Sequence, residues 1–273
     1  MKKYKLISFD LDGTLLKSLH EISEENYEAL GKLYELGVVL VPTSGRSLYE
    51  IPEKVRKCPY FKYAITSGGA ATYSLPDEQL IDSALLTKEE SDELFDLLSR
   101  YKTVTMTHYQ GYSYVDKAQT PEEYDKSRVT VGFKKFIPIY DTPVDNFDSF
   151  CRKMDGVELT CSFFPTDEDI KSFKEEALAT GKYTVVSSAR DNLEVVSKSV
   201  DKGRSVLKLA EKLSIKPEET VGVGDSINDL ALIKAVGLGI AMKNAVDELK
   251  SEADTVGCHY TEHIAKFILE KYF

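Results

Sequence analysis

Both ends of the chain alternate short, continuously apolar segments with helical ones, and this alternation constrains the fold more than any other feature. The apolar segments lie at residues 6–9, 38–41, 63–66, 221–223 and 238–241. The helical patterns between and after them lie at 23–36, 202–213 and 228–236, with a last one from about 261. Continuous apolar strands separated by helices indicate a parallel sheet covered on both faces. We therefore predict one doubly wound α/β domain, with a Rossmann-like parallel sheet, built from both ends of the chain.

The middle of the chain follows a different pattern. It combines an amphipathic helix at 88–101 with a hairpin signal at Gln110-Gly111, followed by helices and strands up to residue 188. The whole chain has 273 residues, which exceeds the roughly 100–200 residues of a usual domain. We therefore predict an α+β domain inserted at 83–190, with the main domain formed by 1–82 and 191–273.

Composition limits the partners of the chain. The net charge is −10, and no cluster of Lys and Arg supplies the basic surface that nucleic acids or anionic membranes need. The N-terminus lacks a signal-peptide pattern, and no run reaches the ~18 apolar residues of a membrane span. The four cysteines are dispersed and show no zinc spacing. We expect a cytoplasmic protein, either a monomer or a homodimer, that binds a small molecule.

Asp10 and Asp12 follow the first predicted strand directly. Ligands of open α/β sheets bind outside the carboxyl ends of the strands, and Gly13 permits a tight turn there. Two carboxylates so close repel each other, and a hard cation such as Mg²⁺ would relieve the repulsion. A second acidic pair, Asp167 and Asp169, precedes a helical pattern and is explained by helix capping and first-turn charge.

Further polar residues lie beside other predicted strands. Asp225 ends the strand at 221–223, and Asp229 lies one helical turn later on the same face. Ser44 and Gly45 follow the strand at 38–41, where a hydroxyl and an N–H group at a helix start could hold a phosphate. Lys202 begins a helix, where its charge opposes the helix dipole unless acids or a phosphate face it. Taken singly, each of these is also explained by ordinary capping or surface placement.

Their order along the chain is more specific. The segments FDLDGTLL, TSGR, VDKG and GDSIND occur in that order, and GIAMKNA follows them. This order and spacing resemble the haloacid dehalogenase superfamily, in particular the Cof-type phosphatases with a large α/β cap. The resemblance covers nearly the whole chain, although the inserted region matches by length and pattern only. It implies a phosphoric monoester hydrolase that uses Mg²⁺ and forms an aspartyl-phosphate.

The resemblance also implies roles for individual residues. Asp10 would be the nucleophile and a metal ligand, and Asp12 the general acid and base, with its backbone carbonyl on Mg²⁺. Asp225 would be a further carboxylate ligand, with Asp229 supporting the metal site. The phosphate would be held by the set Ser44, Gly45, Lys202, Asn228 and the backbone N–H of Leu11.

Several positions concern substrate recognition. Ser44 stands where the family usually has Thr, and Ser67-Gly68-Gly69-Ala70 stands where Asn-Gly-Ala is common. Gly68 therefore lacks a side chain that often lies near the substrate or the cap hinge. Gly69, Arg46 and His108 are further candidates near the substrate or cap. For His108, a simple surface hairpin is the alternative.

Three functions remain open at this point. The first is hydrolysis of a small phosphate ester, such as a sugar phosphate, pyridoxal phosphate or flavin mononucleotide. The second is a sugar phosphomutase, which would protect the aspartyl-phosphate from water. The third is a non-catalytic sensor of a phosphorylated metabolite. All motif acids and the lysine are present, and this favours an enzyme over a sensor.

Overall fold

The structure, a computed structural model, describes residues 4–18, 20–188 and 191–273. The described strands, in chain order, are β1 Leu6–Phe9, β2 Leu16–Ser18, β3 Glu21–Ile22, β4 Val39–Pro42, β5 Tyr63–Thr66, β6 Ala71–Ser74, β7 Gln79–Ser83, β8 Val104–Tyr109, β9 Tyr112–Asp116, β10 Thr142–Val144, β11 Leu159–Phe163, β12 Tyr183–Val186, β13 Asn192–Ser197, β14 Thr220–Gly224, β15 Leu238–Ala241 and β16 Thr255–Val256. The described α-helices are α1 Glu24–Glu35, α2 Glu53–Arg56, α3 Lys88–Leu98, α4 Pro121–Lys126, α5 Val131–Tyr140, α6 Phe147–Cys151, α7 Asp167–Ala179, α8 Lys202–Lys212, α9 Leu230–Ala235, α10 Asp247–Glu252 and α11 Ile264–Tyr272.

The main sheet is parallel and has the strand order β16-β15-β14-β1-β4. A parallel bridge between Thr43 and Ile65 brings β5 alongside β4. All residues of β1, β14 and β15 are buried, as expected for strands covered on both faces. The predicted doubly wound α/β fold is therefore confirmed. It joins the two ends of the chain in one sheet.

The chain divides into two compact units. The first comprises Met1–Gly45, Ile51–Ser83 and Asp201–Phe273, and the second comprises Arg46–Glu50 and Ala84–Val200. The sequence-based boundary after residue 190 falls ten residues before the structural one, because β13 pairs with β11 and β12 of the second unit. Arg190, the last residue of the predicted insertion, lies outside the described residues.

The second unit is a mixed sheet with helices on both faces, because Phe133 of α5 packs against Phe163 of β11 on the face opposite to the core that contains α3 and α7. Its strand order is β10-β9-β8-β11-β13-β12, and only β9 and β10 are parallel. One core of this unit joins residues of α3 and α7 to Leu193 and Val195 of β13. The predicted α+β character of the middle region is thus confirmed.

Local sequence signals explain several of these elements. Ser23 caps α1 by accepting a hydrogen bond from the Asn26 backbone N–H. Gln110 and Gly111 have φ of 50° and 79°, and form the tight turn between β8 and β9. Within residues 4–18, 20–188 and 191–273, no helix has both the length and the apolar composition needed to cross a membrane.

Candidate active site

Asp10 and Asp225 lie at the same edge of the main sheet. Asp10 follows β1 and Asp225 follows β14, and these parallel strands are neighbours with Phe9 opposite Val223. The Asp10 backbone N–H donates to the Val223 carbonyl at 2.9 Å, which extends the pairing by one residue. Because both strands end here, the two carboxyl groups converge outside the sheet.

Lys202 connects the acids of this edge. Its Nζ atom donates to Oδ1 of Asp10 at 2.8 Å and to Oδ1 of Asp229 at 2.6 Å, and lies 3.5 Å from Oδ1 of Asn228. Lys202 is 1% exposed. Burial alone would lower the pKa of Lys202, but Asp10 and Asp229 raise it above its ordinary value, so the ammonium stays charged. These acids also explain how a lysine is tolerated at the first position of α8.

The three acids carry more negative charge than Lys202 balances. One carboxylate oxygen each from Asp10, Asp225 and Asp229 lies within 4.8 Å of the others. Burial raises the pKa of Asp10 well above its ordinary value, Lys202 opposes this, and the neighbouring acids add to it. Burial and then Asp229 raise the pKa of Asp225 to about 7. An oxygen-rich, electron-rich cluster of this kind fits a hard divalent cation such as Mg²⁺.

Asp229 is held differently from the other two acids. Its Oδ2 atom accepts hydrogen bonds from the backbone N–H groups of Asp225 at 3.0 Å and Ser226 at 3.1 Å, while Oδ1 accepts from Lys202. With both oxygens engaged, Asp229 is suited to orienting Lys202 and the loop after β14. Asp10 and Asp225 are better placed to contact a metal directly.

Two glycines permit the close approach of these groups. Gly13 has φ of +75°, and a Cβ atom there would lie 2.4 Å from Oδ2 of Asp225. A Cβ atom on Gly224 would lie 2.3 Å from Cγ of Asp229. Side chains at either position would therefore displace an acid of the cluster.

The turn after Asp10 contains residues that support Asp225. Thr14 Oγ1 donates to Oδ1 of Asp225 at 3.3 Å. Asn244 Nδ2 donates to the Gly13 carbonyl at 2.9 Å and lies 3.5 Å from Oδ2 of Asp225. Asn244 was not singled out from the sequence, although it lies in the segment GIAMKNA just beyond β15. Asp12 lies in the same turn, is exposed, and adds to the negative potential at Asp10 and Asp225.

The predicted phosphate-binding residues Leu11, Ser44 and Gly45 follow neighbouring strands of the main sheet. Ser44 is buried beyond β4, its backbone N–H donates to the Ile65 carbonyl at 2.9 Å, and its carbonyl accepts from Gly68 at 3.1 Å. The Gly69 carbonyl accepts a hydrogen bond from Ser205 at 2.7 Å. Gly45 follows Ser44, and Leu11 follows Asp10 as a buried residue. Phosphate binding by these groups stays a prediction.

Arg46 and His108 belong to the second unit, where both contact Glu50. His108 Nε2 lies 3.3 Å from Oε2 of Glu50, and an Arg46 Nη atom donates to the Glu50 carbonyl at 3.0 Å. The Arg46 guanidinium also lies over the Phe136 ring at 4.7 Å. His108 lies in the predicted hairpin of β8 and β9, but it is only 4% exposed, so the alternative of a surface position is wrong for this residue. Glu50 itself was not identified from the sequence, because it follows no strand or motif.

Comparison with known proteins shows the family to which the chain belongs. The family model for haloacid dehalogenase-like hydrolases matches residues 7–268. The chain is 30% identical to phosphatase YwpJ of Bacillus subtilis over 95% of this chain and 96% of that protein. It is 29% identical to the 5-amino-6-(5-phospho-D-ribitylamino)uracil phosphatase YcsE of the same organism, covering 92% and 89%. A solved haloacid dehalogenase-like hydrolase from B. subtilis superposes with a TM-score of 0.84 at 26% identity, covering 98% and 100%. The chain therefore belongs to the haloacid dehalogenase-like hydrolases, and its inserted unit is the cap of the Cof-type members.

Proposed function

We propose that this protein is a Mg²⁺-dependent phosphatase that hydrolyses a small phosphorylated metabolite through an aspartyl-phosphate on Asp10. The observation that carries the proposal is the buried contact of Lys202 with Asp10 and Asp229, beside Asp225 at the end of the adjacent strand. Such a site offers a nucleophile, a fixed positive charge and oxygen ligands for a cation in one place. The named phosphatases among the relatives support the same activity.

Asp10 is the residue that forms the covalent intermediate. Lys202 holds one carboxylate oxygen, which fixes the orientation of the group for in-line attack on phosphorus. The new bond joins a carboxylate oxygen to phosphorus, and the bond between phosphorus and the ester oxygen breaks. Asp12 donates a proton to the leaving alkoxide.

The second half of the reaction returns the enzyme to its starting state. Asp12, now ionised, takes a proton from a water molecule, whose oxygen attacks the phosphorus of the acyl-phosphate. Phosphate leaves and the Asp10 carboxylate is restored. Lys202, Ser44 and backbone N–H groups contact the charged phosphoryl oxygens. When bound, Mg²⁺ supplies positive charge that reduces the repulsion between the Asp10 carboxylate and a phosphate dianion.

The relatives suggest the size and chemistry of the substrate. Their names include a 5-amino-6-(5-phospho-D-ribitylamino)uracil phosphatase and a pyridoxal phosphate phosphatase. We infer that this chain also takes a phosphate monoester of metabolite size. Its net charge of −10 makes a nucleic-acid polymer an unfavourable substrate. We further infer that the protein acts in the cytoplasm as a monomer or homodimer.

Phosphate release with and without metal tests the proposal. The purified protein should release phosphate from p-nitrophenyl phosphate with Mg²⁺, and excess EDTA should abolish the release. Asp10→Asn should lower kcat by roughly a thousandfold or more, because no covalent path remains. Asp167→Asn, in the exposed Asp-x-Asp segment of the second unit, should retain the activity. Activity that survives Asp10→Asn would overturn the proposal.

A further inference from the structure

Two asparagine side chains hold the turn after Asp10 without belonging to the proposed catalytic groups. Asn26 Nδ2 donates to the Leu15 carbonyl at 3.3 Å, and Asn244 Nδ2 donates to the Gly13 carbonyl at 2.9 Å. Asn26 lies on α1, and Asn244 lies in the loop after β15. The turn is thus fixed at two of its backbone carbonyls, by two different parts of the first unit.

Each of these side chains also accepts a hydrogen bond from the segment 260–265. Asn26 Oδ1 accepts from the backbone N–H of Ala265 at 2.9 Å, and Asn244 Oδ1 accepts from that of Tyr260 at 3.0 Å. Both N–H groups lie in the first turn of a helix, where backbone donors have no partner within the helix itself. We call Asn26 and Asn244 the bridging asparagines, because each joins this segment to the turn after Asp10.

These contacts need a donor and an acceptor on one side chain. A backbone carbonyl only accepts and a backbone N–H only donates, and the asparagine amide offers the matching group to each. The same constraint fixes the orientation of both amides, with the nitrogen towards the turn. An ionised carboxylate of the same shape has no donor, so it would leave the turn carbonyl facing another acceptor. Aspartate in place of asparagine should therefore loosen the turn while nearly keeping the side-chain volume.

Asn26 has a rigid support. It is 1% exposed, and α1, which carries it, packs on α11. Ile264 and Ile268 of α11 are fully buried. The packing of the two helices therefore fixes Asn26, and Asn26 in turn fixes the Leu15 carbonyl.

Asp12 is the residue whose position this turn decides. It lies between Asp10 and Gly13 in the chain, it is exposed, and its φ of −78° and ψ of 123° are not helical. Gly13 follows with φ of 75°, and the Leu15 N–H donates to the Asp10 carbonyl at 3.2 Å, which closes the turn. Because Asp12 is exposed, the place of its carboxyl depends chiefly on this backbone.

The nucleophile is held in a different way from the acid. The Asp10 backbone N–H pairs with Val223 of β14, and its carboxylate accepts from Lys202. The bridging asparagines act instead at Gly13 and Leu15, which follow Asp12 in the chain. Loss of either amide should therefore displace Asp12 more than Asp10.

We propose that Asn26 and Asn244 are positioning residues, which place Asp12 for proton donation to the leaving group. The inference rests on the proposed phosphatase function, in which Asp12 is the general acid. A general acid must lie within hydrogen-bond reach of the leaving oxygen, and a small displacement of a catalytic group lowers the rate by a large factor.

Two phosphate esters of nearly equal size test this role. p-Nitrophenolate leaves readily without a proton, whereas phenolate gains more from protonation, so phenyl phosphate depends more on the general acid. Asn26→Asp and Asn244→Ala should each lower kcat/KM for phenyl phosphate roughly tenfold or more beyond any loss for p-nitrophenyl phosphate. Asp12→Asn should show the same selective loss. Asn146→Asp, the same change at an exposed asparagine of the second unit, should keep the wild-type ratio.

The outcomes separate this role from the proposed function. Suppose that Asp12→Asn shows the selective loss, while Asn26→Asp and Asn244→Ala lose activity equally on the two esters or lose none. The positioning role is then overturned and the phosphatase stands. If Asp12→Asn shows no selective loss, Asp12 is not the general acid, and the positioning role fails with it. Turnover that is independent of Asp10 overturns the proposed function itself.

Hydrogen exchange gives a readout that depends on neither metal nor turnover. In EDTA, the backbone amides of residues 11–16 should exchange faster in Asn26→Asp and Asn244→Ala than in wild type, because the turn has lost a fixed point. The amides of α3 in the second unit should exchange as in wild type. Asn244 is half-buried, so its variant supplies the test if the change at the buried Asn26 prevents folding. Wild-type exchange at 11–16 in the folded variants contradicts the role.

Discussion

The Nζ atom of Lys202 lies 2.8 Å from Oδ1 of Asp10, although 192 positions separate the two residues in the sequence. Both are buried, and the contact joins the first strand of the main sheet to the helix that begins the last segment of the first unit. This single ion pair therefore links the fold of the first unit to the chemistry of its candidate active site.

Removal of Lys202 should affect stability as well as activity. Lys202→Met leaves Asp10 and Asp229 buried without their counter-charge, which should cost about 3–5 kcal/mol of unfolding free energy in metal-free protein. Urea unfolding with EDTA measures this loss. The matched control is Lys208→Met on the same helix, where a half-exposed pair with Asp82 should contribute about 0–1 kcal/mol. Equal losses in the two variants would contradict the role of Lys202.

Asp229 should control the affinity for Mg²⁺. Asp229→Asn removes the charge that pairs with Lys202. It also replaces the carboxylate that accepts hydrogen bonds from the backbone N–H groups of Asp225 and Ser226. We expect the Mg²⁺ concentration for half-maximal activity to rise roughly 10–100-fold, as for other residues that orient metal ligands. Titrating Mg²⁺ against phosphate release measures the change, with the exposed Asp247→Asn as control. An unchanged Mg²⁺ dependence would show that Asp229 does not support the metal site.

Gly13 should tolerate no side chain. In Gly13→Ala the new Cβ atom would lie 2.4 Å from Oδ2 of Asp225, and its φ of +75° disfavours alanine by roughly 1–2 kcal/mol. We expect kcat/KM to fall at least roughly a hundredfold, because the acid must move. Gly132→Ala is the control, since its nearest neighbour lies at an ordinary 3.9 Å. Similar kinetics for both variants would argue against a fixed position of Asp225.

Asp141 should make the protein less stable as pH rises. Burial and then Glu50 raise its pKa well above 3.8 in the folded protein, and Ser113 opposes them. The folded chain therefore keeps this proton longer than the unfolded chain. The resulting stabilisation is complete below pH 3.8 and is lost as pH rises toward the folded pKa. Asp141→Asn should accordingly raise the unfolding temperature more at pH 7 than at pH 4, relative to wild type.

The exposed Asp145→Asn provides the comparison for this measurement and should show no such difference. Equal shifts for Asp141→Asn at the two pH values would mean that its carboxyl is not destabilised by burial.

Local patterns were sufficient to predict much of the main domain. The segments at 63–66 and 238–241 form β5 and β15 with the predicted bounds, and Ser23 caps the first helix as predicted. Apolar continuity and capping residues are properties of a few adjacent positions, so a sequence reveals them. The order of the four motifs then identified the family, and the structure brings Asp10, Lys202, Asn228 and the two later acids together.

The burial of three acids in the second unit could not be predicted in this way. Glu50, Asp141 and Glu194 lie far apart in the sequence, and only the strand register of the second unit decides that Glu194 faces Cys161. Residues 46–50 belong to the second unit through contacts such as the one between Glu50 and His108. No local sequence pattern predicts these contacts. Asn244 was missed for a related reason, since its role depends on the turn around Gly13.

The central claim is that Asp10 carries the phosphoryl group during turnover. Rapid acid quenching of the enzyme with Mg²⁺ and substrate, followed by mass spectrometry of its peptides, measures this directly. The account predicts a peptide containing Asp10 heavier by one phosphoryl group, present during turnover and absent in Asp10→Asn. Turnover without any phosphorylated peptide, or with the phosphoryl group on another residue, would contradict it.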